Sequence, residues 1–192
     1  MEADWNNWLA AVRLLFAYNA NPNVVNKDGA TALHCAAQKG HAAMMRLIVE
    51  HGADLNKQTV LGNTALHAAA ERGHIECVHI LLDAGAGIDL KDKKGRTPAK
   101  HALLSKHSPT LELLLRYGAD AHLAVLPNLE NASEDDNEHY DTILGALEHQ
   151  PFFVHLLADH GGICQKEELD FHGSFNGYTQ VLRACHQGTL VG

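Results

Sequence analysis

The apolar positions between residues 31 and 50 form two groups, each with the spacing of a short amphipathic helix. These positions are Leu33, Ala36 and Ala37, followed by Met44, Leu47 and Ile48. Thr31 can cap the first helix with its hydroxyl group, and Gly40 can adopt the positive φ needed by a turn between two helices. The pattern therefore predicts a helix, a turn and a second helix, and neither helix can bury its apolar face alone.

The same pattern returns with a period of 33 residues. Two series of glycines mark this period: Gly29, Gly62 and Gly95, and Gly52, Gly85 and Gly118. Around the first series the sequence reads DGATALHCAAQKGH, then LGNTALHAAAERGH, then KGRTPAKHALLSKH. A fixed period of this length is typical of a solenoid, in which stacked units cover one another's apolar faces.

These motifs resemble the ankyrin repeat, which has this period and a T-P-L-H-x-A signature. The resemblance implies an all-α fold, an ankyrin-repeat solenoid of stacked helix-turn-helix units joined by β-turn fingers such as 56–63 and 89–96. Residues 1–123 are then an outer half-repeat, two regular repeats and one weaker repeat. The weaker repeat has Ala99, Lys100 and Lys106 in place of the usual leucine, histidine and glycine, and we expect its inner helix to be looser.

Residues 124–192 are predicted to be divergent repeats of the same family, with an acidic finger insertion at about 127–141. Partial repeats stand at both ends of the sequence, so the chain is interpreted as a fragment of a longer protein. Leu14, Leu15 and Phe16 then lack a cover at one end. The alternative is that Trp5 and Trp8 fold back over them as a cap.

The charge is unevenly distributed along the chain. Residues 1–123 carry 13 Lys and Arg against 12 Asp and Glu, whereas residues 124–192 carry 2 against 11. An acidic chain without a continuous basic stripe is a poor nucleic-acid binder, which excludes that class of partner. With neither a signal peptide nor a membrane span in the sequence, we expect a cytoplasmic or nuclear protein and no membrane partner.

The residue types that could support catalysis or metal binding do not form a catalytic motif in this sequence. The sequence contains no nucleophile, phosphate-loop or metalloprotease motif, so we expect no enzyme activity, no cofactor and no small-molecule substrate. Its 15 histidines include His34 and His67 in the T-x-x-H place, where the family's imidazole bonds to the backbone of its own and adjacent turns, and we expect no metal site. Four cysteines without a C-x-x-C pair are interpreted as reduced core thiols: Cys35, Cys77, Cys164 and Cys185.

The resemblance implies a protein partner, bound on the concave side by finger tips and inner-helix surfaces. The finger residues that packing does not require are Val25, Lys27, Asp28 and Ala30, then Gln58, Val60, Leu61 and Asn63, then Lys91, Lys93, Lys94 and Arg96. On the inner helices they are Gln38, Lys39, Glu71 and Arg72. The predicted function is that of a protein-protein interaction module, a scaffold or adaptor; the alternative is the targeting segment of a larger enzyme whose catalytic domain lies outside this chain.

Two residues are candidates for modification. Ser133 is followed by three acidic residues, a pattern that resembles the acceptor of an acidophilic kinase. Asn56 resembles the finger asparagine that an asparaginyl hydroxylase modifies in several ankyrin proteins. The alternative for Asn56 is a purely structural role in its turn.

Overall fold

The computed structural model describes residues 2–125 of the chain, which form eight helices and, within that range, no strand. The predicted divergent repeats and the acidic insertion lie outside the described residues. The helices are α1 (Glu2–Ala17), α2 (Ala32–Lys39), α3 (Ala42–Glu50), α4 (Ala65–Arg72), α5 (Ile75–Asp83), α6 (Pro98–Leu104), α7 (Ser108–Arg116) and α8 (Ala121–Val125).

The helices are stacked in two layers. The inner helices α2, α4 and α6 pack on one another in order, and the outer helices α3, α5 and α7 do the same. Each inner helix also packs against the outer helix that follows it. The all-α solenoid predicted from the period is therefore confirmed.

Capping residues explain where the inner helices begin and end. Thr64 has an extended backbone, and its hydroxyl oxygen accepts a hydrogen bond from the backbone N–H of His67. At the other end, Gly73 takes a left-handed conformation with φ of 70°, and its N–H bonds to carbonyls of the last turn. Such caps satisfy backbone groups that a helix end leaves unpaired, so Thr64 and Gly73 determine where α4 begins and ends.

Small residues allow the inner helices to approach closely. Ala65, Ala69 and Ala70 of α4 are fully buried, as are Ala99 and Ala102 of α6. Larger side chains fill the space between the two layers, and those that are fully buried include Leu33, Ile48, Leu66, Leu81, Leu103, Leu111 and Leu114. Because burying one such side chain is worth about 2 kcal/mol, this continuous core holds the repeats together.

The third helix pair differs from the first two less than the sequence suggested. Helix α6 has 7 residues, one fewer than α2 and α4. Lys106 stands in the place of the turn glycine and takes its left-handed conformation, with φ of 60°. Ala99 and Leu103 are nevertheless fully buried, so the expected looser inner helix is not seen in the packing.

The first helix is longer than the predicted outer half-repeat. It runs without a break from Glu2 to Ala17 and packs against α3, with the Phe16 ring stacked on His51 at a centroid distance of 4.3 Å. Leu14 and Leu15 are 60% and 57% exposed, as expected for uncovered positions. Helix α1 is continuous through positions 5 and 8, and because the side chains of Trp5 and Trp8 lie outside what the structure describes, the alternative tryptophan cap stays a prediction.

One prediction about the cysteines is wrong. Cys77 is buried in α5, as expected for a core thiol, and burial raises the pKa of its thiol to about 11. Cys35 is exposed, because no inner helix precedes α2 within the described residues and its side of that helix has no neighbour. Cys164 and Cys185 lie outside the described residues.

Candidate functional site

Three fingers, residues 24–30, 57–63 and 90–96, project from the starts of the inner helices. Each is a turn closed by its own backbone hydrogen bonds. In the second finger, for example, Thr59 N–H donates to the Asn63 carbonyl at 2.9 Å and Gly62 N–H donates to the Thr59 carbonyl at 2.9 Å. The fingers and the exposed sides of α2, α4 and α6 are called the finger surface below.

Neighbouring fingers are joined side by side through their backbones. The Val60 N–H donates to the Asp28 carbonyl at 2.8 Å, and the Lys93 N–H donates to the Leu61 carbonyl at 3.0 Å. The Gln58 side-chain amide adds a bond from its nitrogen to the Lys91 carbonyl at 2.9 Å. These bonds fix the positions of the finger tips relative to one another.

The T-x-x-H histidines attach each inner helix to the finger of the following repeat. In His67, Nδ1 accepts a hydrogen bond from the Thr64 N–H at 3.1 Å, so the ring proton is on Nε2, which donates to the Arg96 carbonyl at 3.0 Å. His34 makes the equivalent bond to the Asn63 carbonyl at 3.1 Å. Burial lowers the pKa of His34 and lowers that of His67 to about 4, so both rings are neutral near pH 7. The structural interpretation of these histidines is confirmed.

The third finger contains a buried polar cluster that the sequence analysis missed. The carboxylate of Asp92 accepts hydrogen bonds from the backbone N–H groups of Lys94 and Arg96, at 2.9 and 2.8 Å. It also pairs with the Arg96 guanidinium at 2.7 Å and lies 3.0 Å from Nε2 of His101. Burial alone would raise the pKa of Asp92, but the hydrogen bonds from His101 and Arg96 hold it below its usual range.

Most of the predicted partner-binding residues are exposed on the finger surface. These are Val25, Lys27, Asp28, Gln38, Lys39, Gln58, Val60, Leu61, Glu71, Arg72, Lys91, Lys93 and Lys94. Val60 and Leu61 stand out as apolar side chains, 56% and 68% exposed. The structure thus brings an apolar pair and several charged side chains together on one surface.

Three predicted partner-binding residues also have structural roles within the chain. Arg96 is half-buried and paired with Asp92, so its guanidinium holds the third finger. Asn63 is half-buried; its N–H donates to the Thr59 hydroxyl oxygen at 3.2 Å and its carbonyl accepts the His34 bond. Ala30 is half-buried, and its carbonyl accepts the hydrogen bond from the Asn26 N–H that closes the first finger. Packing and hydrogen bonding within the chain already use these three residues, and their contact with a partner stays a prediction.

Asn56 belongs to a ladder of side chains that links consecutive repeats. Its Oδ1 accepts a hydrogen bond from the Gly87 N–H at 2.7 Å. Asn23 makes the equivalent bond to the Asp54 N–H at 2.7 Å, one period earlier. This contact supports the structural interpretation of Asn56, and its hydroxylation stays a prediction. Ser133 lies outside the described residues.

Within the part of the chain that the structure describes, no three or more His, Cys, Asp or Glu side chains are grouped as a metal site would require. In the same part, no helix is long and apolar enough to cross a membrane.

Comparison with known protein families gives one match. The family model described as "Ankyrin repeats (3 copies)" matches residues 1–92 and 51–125, which together cover more than half of the chain. No curated protein matches the chain.

Proposed function

Because the chain belongs to the ankyrin-repeat family, we propose that it is a protein-binding module whose finger surface holds the partner. Ankyrin repeats are generally protein-protein interaction modules and are typically non-catalytic. In this proposal the chain acts as a scaffold or adaptor in the cytoplasm or nucleus.

The observation that carries the proposal is the exposed pair Val60 and Leu61 on a finger held rigidly between two others. The second finger is bonded to the first through Val60 and to the third through Leu61. A surface that is already ordered loses little conformational entropy on binding, so more of the contact energy appears as affinity. Apolar side chains at the centre of an interface often contribute most of the binding energy.

The proposal is tested by replacing both side chains with serine. We expect Val60→Ser/Leu61→Ser to weaken binding of the natural partner by about 1 to 3 kcal/mol. The free energy of unfolding should stay nearly unchanged, because both side chains are exposed. The partner is captured from an extract of the source cells on the full chain, and its amount is measured by quantitative mass spectrometry.

Ile75 supplies the matched control. It is an exposed apolar residue too, but it begins the outer helix α5, away from the finger tips. Ile75→Ser should leave partner capture unchanged. If capture survives the double serine variant and is lost in Ile75→Ser, the outer helices bind the partner and the proposed surface is wrong.

A further inference from the structure

The two layers of the solenoid carry opposite charge. The fingers and inner helices expose seven cationic side chains: Lys27, Lys39, Lys57, Arg72, Lys91, Lys93 and Lys94. Only two carboxylates, Asp28 and Glu71, are exposed on the same segments, because Asp92 is buried. The outer helices α3, α5 and α7 carry two cations, Arg46 and Arg116, against four carboxylates: Glu50, Glu76, Asp83 and Glu112.

The cations of the outer helices are already paired. Arg46 lies 3.3 Å from Glu76, and Arg116 lies 2.7 Å from Glu112. On the finger surface, the Arg96 guanidinium pairs with Asp92, and the His101 ring lies 3.0 Å from Asp92 and 3.9 Å from Glu71. Among the described residues, Lys27, Lys39, Lys57, Lys91 and Lys93 form no ion pair, so their charge is open to a partner.

We propose that the finger surface recognises an acidic segment of the partner protein, one that also carries a large apolar side chain. This proposal rests on the proposed function and names the partner's chemical class. Carboxylates of the segment would lie against the lysines of the three fingers, and its apolar side chain would contact Val60 and Leu61. Complementary charge speeds association and selects among partners, whereas the apolar contact supplies most of the affinity.

The position of the apolar pair within the charged surface supports this combination. The Leu61 carbonyl is bonded to the Lys93 N–H, so Leu61 and Lys93 lie on adjoining fingers in direct contact. Val60 is bonded in the same way to Asp28, next to Lys27. An apolar side chain seated on Val60 and Leu61 thus has the lysines of the third finger on one side and Lys27 with Asp28 on the other.

The same observations disfavour a nucleic acid as the occupant. Proteins that bind single strands place aromatic side chains under the bases, and the finger segments and the inner helices α2, α4 and α6 contain no Phe, Tyr or Trp. Duplex recognition relies strongly on arginine, and of the two arginines here Arg96 is engaged by Asp92. The exposed apolar side chains of Val60 and Leu61 would also face the charged phosphates of a nucleic acid, with which they form no favourable contact.

The test is a titration of the full chain with synthetic probes, read by fluorescence anisotropy. The main probe is a labelled peptide of glutamates and serines with one central leucine. The comparison probes are the same peptide with lysine for glutamate, the same peptide with serine for leucine, and a single-stranded oligonucleotide of equal charge. We expect the acidic leucine peptide to bind, the serine peptide to bind about tenfold more weakly, and the lysine peptide not to bind.

Charge reversal then locates the site. Lys57→Glu/Lys93→Glu should weaken binding of the acidic peptide about tenfold at about 50 mM salt and by a smaller factor at about 300 mM, because salt screens exposed charges. The control Arg13→Glu/Arg116→Glu changes the net charge equally on helices α1 and α7 and should leave binding within about twofold. Urea midpoints of all variants verify that they are folded.

Several results would overturn the proposal. These are equal losses in the two charge-reversal variants, equal binding of acidic and basic peptides, or tighter binding of the oligonucleotide. Another is a chain that binds the peptide only after Glu134→Lys/Asp135→Lys/Asp136→Lys, since the chain's own acidic segment would then be the occupant. If Val60→Ser/Leu61→Ser abolishes partner capture while the acidic peptide fails to bind, the proposed function stands and the acidic class is wrong.

Discussion

Gly52 and Gly62 show how differently the same backbone conformation is used at two positions. Both have positive φ, 77° and 82°, where a side chain is disfavoured. A Cβ at Gly52 would meet nothing within 4 Å, whereas a Cβ at Gly62 would lie 2.6 Å from the backbone nitrogen of Lys93. Glycine is favoured at Gly52 only by its positive φ. At Gly62 it is favoured by the positive φ and also because the neighbouring finger leaves no space for a Cβ.

Alanine substitutions separate these two demands. Gly52→Ala should lower the free energy of unfolding by about 1 kcal/mol, the cost of a left-handed alanine. Gly62→Ala should cost about 2 to 4 kcal/mol, because the third finger must also move and the bond from Lys93 to Leu61 is strained. Urea unfolding of the two variants measures the difference. Equal losses would show that the fingers adjust without cost.

His67 makes stability depend on pH. Burial lowers its pKa in the folded state to about 4, below the usual histidine value of 6.5. Between these values the unfolded state binds a proton that the folded state does not, so stability is complete above about pH 6.5 and is lost as the pH falls toward about 4. Full loss of this contribution is worth on the order of 3 kcal/mol.

The variant His67→Gln removes this titration while keeping a polar side chain. The variant should be less stable than wild type at about pH 7, because the glutamine amide cannot reproduce the geometry of the imidazole hydrogen bonds to Thr64 and Arg96. Between about pH 7 and about pH 4.5 it should lose about 2 kcal/mol less than wild type. Unfolding free energies at the two pH values decide this. Identical losses would mean that His67 does not resist protonation; His34, also lowered in pKa, titrates in both proteins.

At the level of single residues, the sequence predicted backbone roles better than side-chain partners. The threonine caps and the turn glycines follow from local spacing, and the role of the T-x-x-H histidines follows from the resemblance to the ankyrin repeat; both were predicted. The cluster of Asp92, Arg96 and His101 was not, because it forms only when the finger closes onto α6. The sequence therefore predicted Arg96 as a partner-binding residue without its ion pair to Asp92.

Among the inner helices α2, α4 and α6, α6 is the one whose end departs from the pattern of the other two. Its turn to α7 uses Lys106 in a left-handed conformation, where α2 and α4 use Gly40 and Gly73. A left-handed residue with a Cβ costs about 1 to 2 kcal/mol relative to glycine. This element therefore stores strain that the other inner helices lack.

Replacing that residue should relieve the strain. Lys106→Gly is expected to raise the free energy of unfolding by about 1 kcal/mol, after allowance for the greater flexibility of glycine in the unfolded chain. Ser105→Gly is the control, since Ser105 has φ of −84° and gains nothing from glycine. Thermal or urea unfolding provides the measurement. Stabilisation by both substitutions would point to general loosening of the turn, and destabilisation by Lys106→Gly would contradict the strain.

The elements that the sequence missed are those outside the 33-residue period. Helices α2 to α7 follow from repeated caps and apolar spacing, whereas α8 packs against α6 at Ala121–Val125, ahead of where the period would place an inner helix. The extension of α1 to Glu2 was missed for the same reason. The 33-residue period predicts only the elements that recur in each repeat. The division of the chain at residue 123 stays a prediction.

Across the whole molecule, stability should vary because each repeat is supported only by its neighbours. Helix α4 packs between α2 and α6, and its alanines are fully buried. Helix α2 has an inner neighbour on one side within the described residues, and its Ala32 and Cys35 are exposed. The wrong prediction for Cys35 has this origin, since burial in a solenoid depends on the adjacent unit and not on the residue's own repeat.

Hydrogen exchange of the full chain tests this gradient. Amides of α4 should exchange about tenfold more slowly than those of α2, because opening α4 disrupts two inner-helix interfaces and opening α2 disrupts one. The two helices are matched internally, since their sequences ALHCAAQK and ALHAAAER give similar intrinsic exchange rates. Peptide-resolved mass spectrometry near neutral pH provides the rates. Protection of α2 equal to or greater than that of α4 would contradict the gradient and would mean that a further part of the chain covers the exposed side of α2.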